Sequence, residues 1–120
     1  MGVARIEEGH QTHIKGFIMY KLYWGCYFAK PGKKHHGKHM NIKSLPKGYR
    51  NQHRGKFPKL IEDLRKEGLI LVFPSCGEHH VCAVLDSDLV DIGLQLANVY
   101  LQSVGLPLLP DKLGLIFKKK

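Results

Sequence analysis

The sequence is poor in cysteine, poor in acid and without long apolar runs. Three cysteines, Cys26, Cys76 and Cys82, are too few and odd in number for a disulfide scaffold. No stretch reaches eighteen uncharged apolar residues, so no membrane span is expected. The opening MGVARIEEGHQTH has no apolar core of the kind a secretory signal needs. Together these point to a reducing, cytoplasmic setting. No glycine-rich phosphate loop and no nucleophile–base pairing is recognisable. Acidic clusters suited to a metal-dependent enzyme are missing too, so no catalytic residue and no cofactor is expected.

What is present is positive charge, and it is concentrated. The 120 residues carry a formal charge of +9, with 43 % hydrophobic residues, enough for one globular domain with one modest core. Between Lys30 and Lys66 stand twelve Lys and Arg against two acids, Glu62 and Asp63. That block alone is +10 and the rest of the chain is about neutral. An excess confined to one segment predicts a face that meets a polyanion.

The stretch THIKGFIMYKLYWGCYFAK predicts a helix over 12–30, with Thr12 as its N-cap and Pro31-Gly32 as its stop. It is apolar nearly all round, so Tyr20, Tyr23 and Tyr27 are expected in core or interface. The glycine-punctuated PGKKHHGKH follows as a basic loop. Pro46 and Gly48 allow at most one helical turn around Lys43 to Leu45. GKFPKLIEDLRKEG reads as a helix with Pro58 in its first turn, a buried face of Phe57, Leu60, Ile61 and Leu64, and Gly68 as its cap.

Leu69 to Phe73 and His80 to Leu85 read as the two strands of a hairpin, with the turn signal Cys76-Gly77 between them. Asp86, Ser87 and Asp88 suit the start of a last helix over about 86–105. That helix has two apolar stripes, one through Leu89, Ile92, Leu96 and Val99, the other through Val90, Leu94, Ala97, Leu101 and Val104. One stripe faces the core; a second subunit is the simplest cover for the other. The expected homodimer interface is Tyr20, Tyr23, Tyr27, Leu94, Leu101 and Val104. The proline-broken tail, 106–120, ends in three lysines.

The motif PSCGEHHVC packs two cysteines and two histidines into nine positions and raises a zinc site. Within a hairpin, however, Cys76 and Cys82 stand about 10 to 13 Å apart, too far for one ion or a disulfide. His79 and His80 alternate across the strand. No metal site is expected from these residues, and His35, His36 and His39 lack a partner at fixed spacing.

The order of elements resembles small archaeal winged-helix proteins of the DNA-binding class. The residues that carry the resemblance run from His39 to Leu85, KHMNIKSLPKGYRNQHRGKFPKLIEDLRKEGLILVFPSCGEHHVCAVL, about two fifths of the chain. The resemblance implies a mainly α, α+β fold: one winged helix-turn-helix domain over 1–120 with a core at 39–85 and extra terminal helices. Met40 to Ile42 would then be the first strand, Lys43 to Leu45 the positioning helix, His53 to Glu67 the recognition helix, and Pro74 to His80 the wing. It implies a dimeric regulator of transcription on duplex DNA, associated with the nucleoid. Arg54, Lys56, Lys59 and Lys66 would meet phosphates, with Asn51, Gln52 and His53 at base edges. Lys43, Lys47, Arg50, His79 and His80 complete the expected contact set. Glu62 and Asp63 run against it, being acids on or beside the exposed face of the reading helix.

Three other classes compete. An RNA- or ribosome-associated module fits the charge but lacks a GXXG loop or a predicted aromatic sheet platform. A small metal enzyme lacks the carboxylates, and a pure assembly module would rest on the two long helices alone.

Overall fold

The computed structural model describes residues 6–25, 27–29, 39–75 and 77–109. Among them the chain forms helix α1 (Gln11–Trp24), strand β1 (Phe28–Ala29), strand β2 (Met40–Asn41), 3-10 helix η1 (Ile42–Ser44), 3-10 helix η2 (Asn51–Lys56), α2 (Phe57–Lys66), β3 (Ile70–Ser75), β4 (Glu78–Val84) and α3 (Ser87–Val104). The fold is α+β and mostly helical.

Strand β4 is the centre of the sheet. β3 lies antiparallel along one edge of it, from Ile70 opposite Ala83 to Ser75 opposite Glu78. On the other edge β2 pairs antiparallel, Met40 with Val81 and Asn41 with His80, and β1 pairs parallel, Phe28 with Ala83 and Ala29 with Val84. The Ser75–Glu78 pair leaves a two-residue connection, and Gly77 takes φ +80°, the left-handed conformation such a turn demands. Pro74 and His79, expected at the tip, are a paired position within the ladder. Pro74 is tolerated because β3 is an edge strand.

Helices α1 and α3 pack closely. A Cβ on Gly16 would stand 2.3 Å from the Leu96 carbonyl oxygen, and one on Gly93 would stand 2.1 Å from the Tyr23 hydroxyl. Only glycine permits this approach. The core gathers Ile14, Phe17, Ile18, Met19 and Leu22 of α1, Phe57, Leu60, Ile61 and Leu64 of α2, Ile70, Val81 and Ala83 of the sheet, and Val90, Ala97 and Leu101 of α3. Leu109 joins it, with its backbone N–H donating to Asn98 Oδ1 at 3.0 Å.

Several boundaries differ from the sequence reading. The first helix stops at Trp24 rather than Lys30. The Tyr27 N–H donates back to the Leu22 carbonyl, and the Tyr27 carbonyl accepts from Ala83 of β4, so sheet pairing ends the helix. Its N-cap is His10, whose Nδ1 accepts from the Thr12 N–H at 3.1 Å, not Thr12. The recognition segment begins as a 3-10 helix and becomes α-helical only at Phe57. Other expectations match in place: the four buried residues of α2, the left-handed Gly68, and Asp86, whose Oδ1 accepts from the Asp88 and Leu89 N–H groups.

The expected interface residues divide. Tyr23 and Leu101 are buried inside the single chain, Leu94 is half-buried against the core, and Tyr20 packs on Tyr100. Tyr27 lies beyond α1, half-buried. Val104 is exposed, as are Ile92, Leu106 and Leu108. No helix among the described residues is long and apolar enough to cross a membrane.

Candidate nucleic-acid interface

The exposed basic segment gives little to the core: no residue of η1 or η2 is buried, and between them Leu45 and Tyr49 are. Its shape comes from polar anchors reaching out of the core. Tyr49, buried between η1 and η2, packs edge-on against Phe17 and Phe57. Its hydroxyl accepts from the Gly9 N–H at 2.8 Å and lies 2.6 Å from His13 Nδ1. Burial holds the His13 pKa below its ordinary value. The Tyr49 carbonyl accepts from Arg54 Nε at 3.1 Å.

Lys21 is the second anchor. Its ammonium donates to the carbonyls of Ser44, Leu45 and Lys47 at 2.7, 3.1 and 2.9 Å, and so terminates η1. Desolvation, then repulsion from Lys47 and Arg54, lowers its pKa. Sequence reasoning missed this role. The available signal was a single lysine inside an otherwise aromatic and aliphatic run.

A third tie joins the hairpin to the same segment. Asn41 sits opposite His80, its Oδ1 caps η1 by accepting from the Lys43 N–H at 2.8 Å, and its amide donates to Glu78.

Around these anchors the expected contact residues fall into three groups. Lys43 and Lys47 are exposed, and neither has an ion-pair partner among the described residues; Asn51 and Gln52 are exposed beside them. Arg54 and Lys56 are exposed and anchored only to carbonyls, Lys56 to Gly9 at 2.9 Å, so both keep their charge unneutralised. Arg50 faces one acid, Glu8, at 2.9 Å.

On α2 the acids and bases cancel. Lys59 pairs with Asp63 at 3.1 Å, and Arg65 with Glu62, whose carboxyl is held below its usual range by that hydrogen bond. The two acids that ran against a phosphate track are thus neutralised by their own helix. Lys66, at the far end, is exposed.

The histidines separate as well. His53 is half-buried, its ring against Gly9 and 6.1 Å from that of Tyr49, which makes it a packing element of the segment. His79 is exposed, and His80 turns inward to His39.

Among the described residues no three His, Cys, Asp or Glu converge as a metal site. Cys82 is buried in β4, and burial pushes its thiol up to about 11. Cys26, Cys76, His35 and His36 lie outside the described residues. Comparison with protein-family models, with curated proteins and with solved structures gave no match.

Proposed function

We propose that the chain is a binding protein for duplex DNA, not an enzyme, and that it docks through the segment from Lys43 to Lys56. The observation that supports this reading is the charge pattern of that segment. Five cations, Lys43, Lys47, Arg50, Arg54 and Lys56, face a single acid, Glu8, on a backbone held from below. Such a surface suits a track of phosphates. Asn51 and Gln52 stand exposed in its middle and carry the amide groups that read base edges. The arrangement fits a winged helix of the archaeal DNA-binding kind, with η2 and the start of α2 as the reading element and the β3–β4 hairpin as a short wing. A dimeric, nucleoid-associated regulator of transcription follows from that reading. Its twofold contact would use Val104, Ile92, Leu106 and Leu108, four of the large apolar side chains that the single chain leaves in water, with Trp24 and Leu71 exposed as well.

The test is a binding titration against duplex DNA, duplex RNA and single strands over a salt series. Arg54→Ala and Lys47→Ala should each lower the slope of log affinity against log salt by about one. Lys59→Ala should lower it by less, because Asp63 already offsets that charge. Equal slopes for all three variants, or a preference for RNA, would overturn the reading.

A further inference from the structure

A second cluster lies on the outer face of the sheet, and the nucleic-acid reading does not use it. His39 stands two residues before Asn41, so both share a face, and Asn41 is opposite His80 on β4. The rings of His39 and His80 meet at 79° with centroids 4.8 Å apart, and their Nδ1 atoms are 2.9 Å apart. The Phe73 ring, across from His80 on β3, packs edge-on to His39 at 5.1 Å. Both histidines are half-buried, so the pair is walled on one side and open on the other.

Two Nδ1 atoms at this distance cannot both carry a proton, and two bare lone pairs would repel. One ring donates and the other accepts, with a single proton between the two lone-pair directions.

We infer that this pair is a site for a divalent first-row transition ion, with zinc as the type case. The ion takes the place of the shared proton. The ring that donated through Nδ1 moves its proton to Nε2, the other already carries its proton there, and both Nδ1 lone pairs go to the metal; water completes the shell, and no net proton is released.

The geometry is close to what this needs. Zn–N bonds of about 2.0–2.1 Å in a tetrahedral shell set two nitrogens about 3.3–3.4 Å apart, so the rings need open by only a few tenths of an ångström. His80 sits on β4 and His39 directly precedes β2, which pairs with it, so their separation is set before any ion arrives. Glu78, two residues before His80 on the same face and joined to Asn41, supplies a carboxylate for metal-bound water. Imidazole favours zinc, copper and nickel, while no carboxylate pair converges here for magnesium or calcium.

With two protein ligands the site captures and releases an ion rather than holding the fold, which the apolar core already does. This is a different chemistry from the Cys76/Cys82 site that the sequence motif raises. It would clip the residue before β2 to β4, two positions ahead of Asn41, the cap of η1.

The experiment is a calorimetric titration of untagged chain with zinc chloride at about pH 7.5, where imidazole is neutral. Three variants accompany it, His39→Ala, His80→Ala and the double His35→Ala/His36→Ala, with circular dichroism to check that each is folded. The wild type should bind one zinc per chain. His39→Ala and His80→Ala should each weaken binding by about tenfold or more, and the double variant by less than about threefold. Long-range nitrogen–proton spectra of the imidazoles should show both Nδ1 atoms shifting and one ring changing tautomer, so that both Nε2 atoms are protonated with zinc bound. Unchanged binding in His80→Ala, loss only in the double variant, coordination through Nε2, or equal binding of magnesium would each overturn the inference.

Discussion

The seam between α1 and α3 and the ridge from η1 through η2 follow opposite rules. In the seam nothing is charged, glycines bring two backbones together, and packing decides the geometry. In the ridge only Leu45 and Tyr49 are buried, and the backbone around them is held by polar groups of Lys21, Tyr49 and Asn41. The difference teaches that a basic segment with only two buried side chains can still hold one shape. It needs buried elements that reach out and satisfy its carbonyls and amides. Stability and binding should therefore respond to substitutions in different places.

The largest separation is expected from Leu101→Glu. Leu101 is fully buried in the seam, so a carboxylate there leaves a buried charge without a partner, and the cooperative thermal transition should disappear. A folded monomeric Leu101→Glu would mean that this side chain faces a partner rather than the core. The solution mass of Ile92→Glu or Val104→Glu is the proper probe of a dimer, because both residues are exposed.

Gly16→Ala should come next. Its Cβ meets a backbone oxygen that cannot step aside, so the helices must part at a cost of about 1–3 kcal/mol, read from urea unfolding. The salt slope of DNA binding should not move. A parallel change in that slope would tie seam and ridge together and erase the distinction.

Lys21→Met reverses the pattern. It removes donors to three carbonyls at the edge of the ridge and should cost about 1 kcal/mol of stability. DNA affinity should fall although no exposed ridge cation is lost. Unchanged affinity would mean that the ridge keeps its shape without this anchor.

The smallest effect is the pH response of His13, which sits where seam and ridge meet. Its folded pKa is lowered from 6.5 by burial, with His53 and His10 adding to the shift and Glu8 opposing it. Below that value the unfolded chain takes a proton that the folded chain refuses. The His13 contribution is therefore complete above 6.5 and is lost as pH falls through the lower folded pKa. The urea midpoint should drop between about pH 7 and pH 5, and less steeply in His13→Gln. An identical drop in that variant would assign the acid sensitivity to other groups.

Elements with an apolar period were legible in the sequence. The α2 face repeats at helical spacing and is buried as read, and Gly77 and Asp86 mark a turn and a cap by local chemistry. The end of α1 was not legible, because aromatic residues continue past Trp24 and the helix yields only to a hydrogen bond from β4, far along the chain. Helix η2 has no apolar period, so nothing local announced it. The contact residues were legible as a charged block, but their sorting was not. Whether Lys59 meets Asp63, or Arg54 a carbonyl, depends on side-chain directions in the folded chain. The convergence of His39 on His80 depends on the register of strands 39 residues apart, a long-range fact that no spacing rule contains.

Strands β1 and β2 lie end to end on one edge of β4, running in opposite directions. Ala29 is opposite Val84 and Met40 is opposite Val81, so the two mouths of the intervening segment are about 10 Å apart along the ladder. The span between them carries Lys30, Lys33, Lys34 and Lys38. Both mouths are therefore held by the same strand. A lineage, or an engineer, can thus rewrite the sequence between Ala29 and Met40 while β4 keeps hold of both its ends.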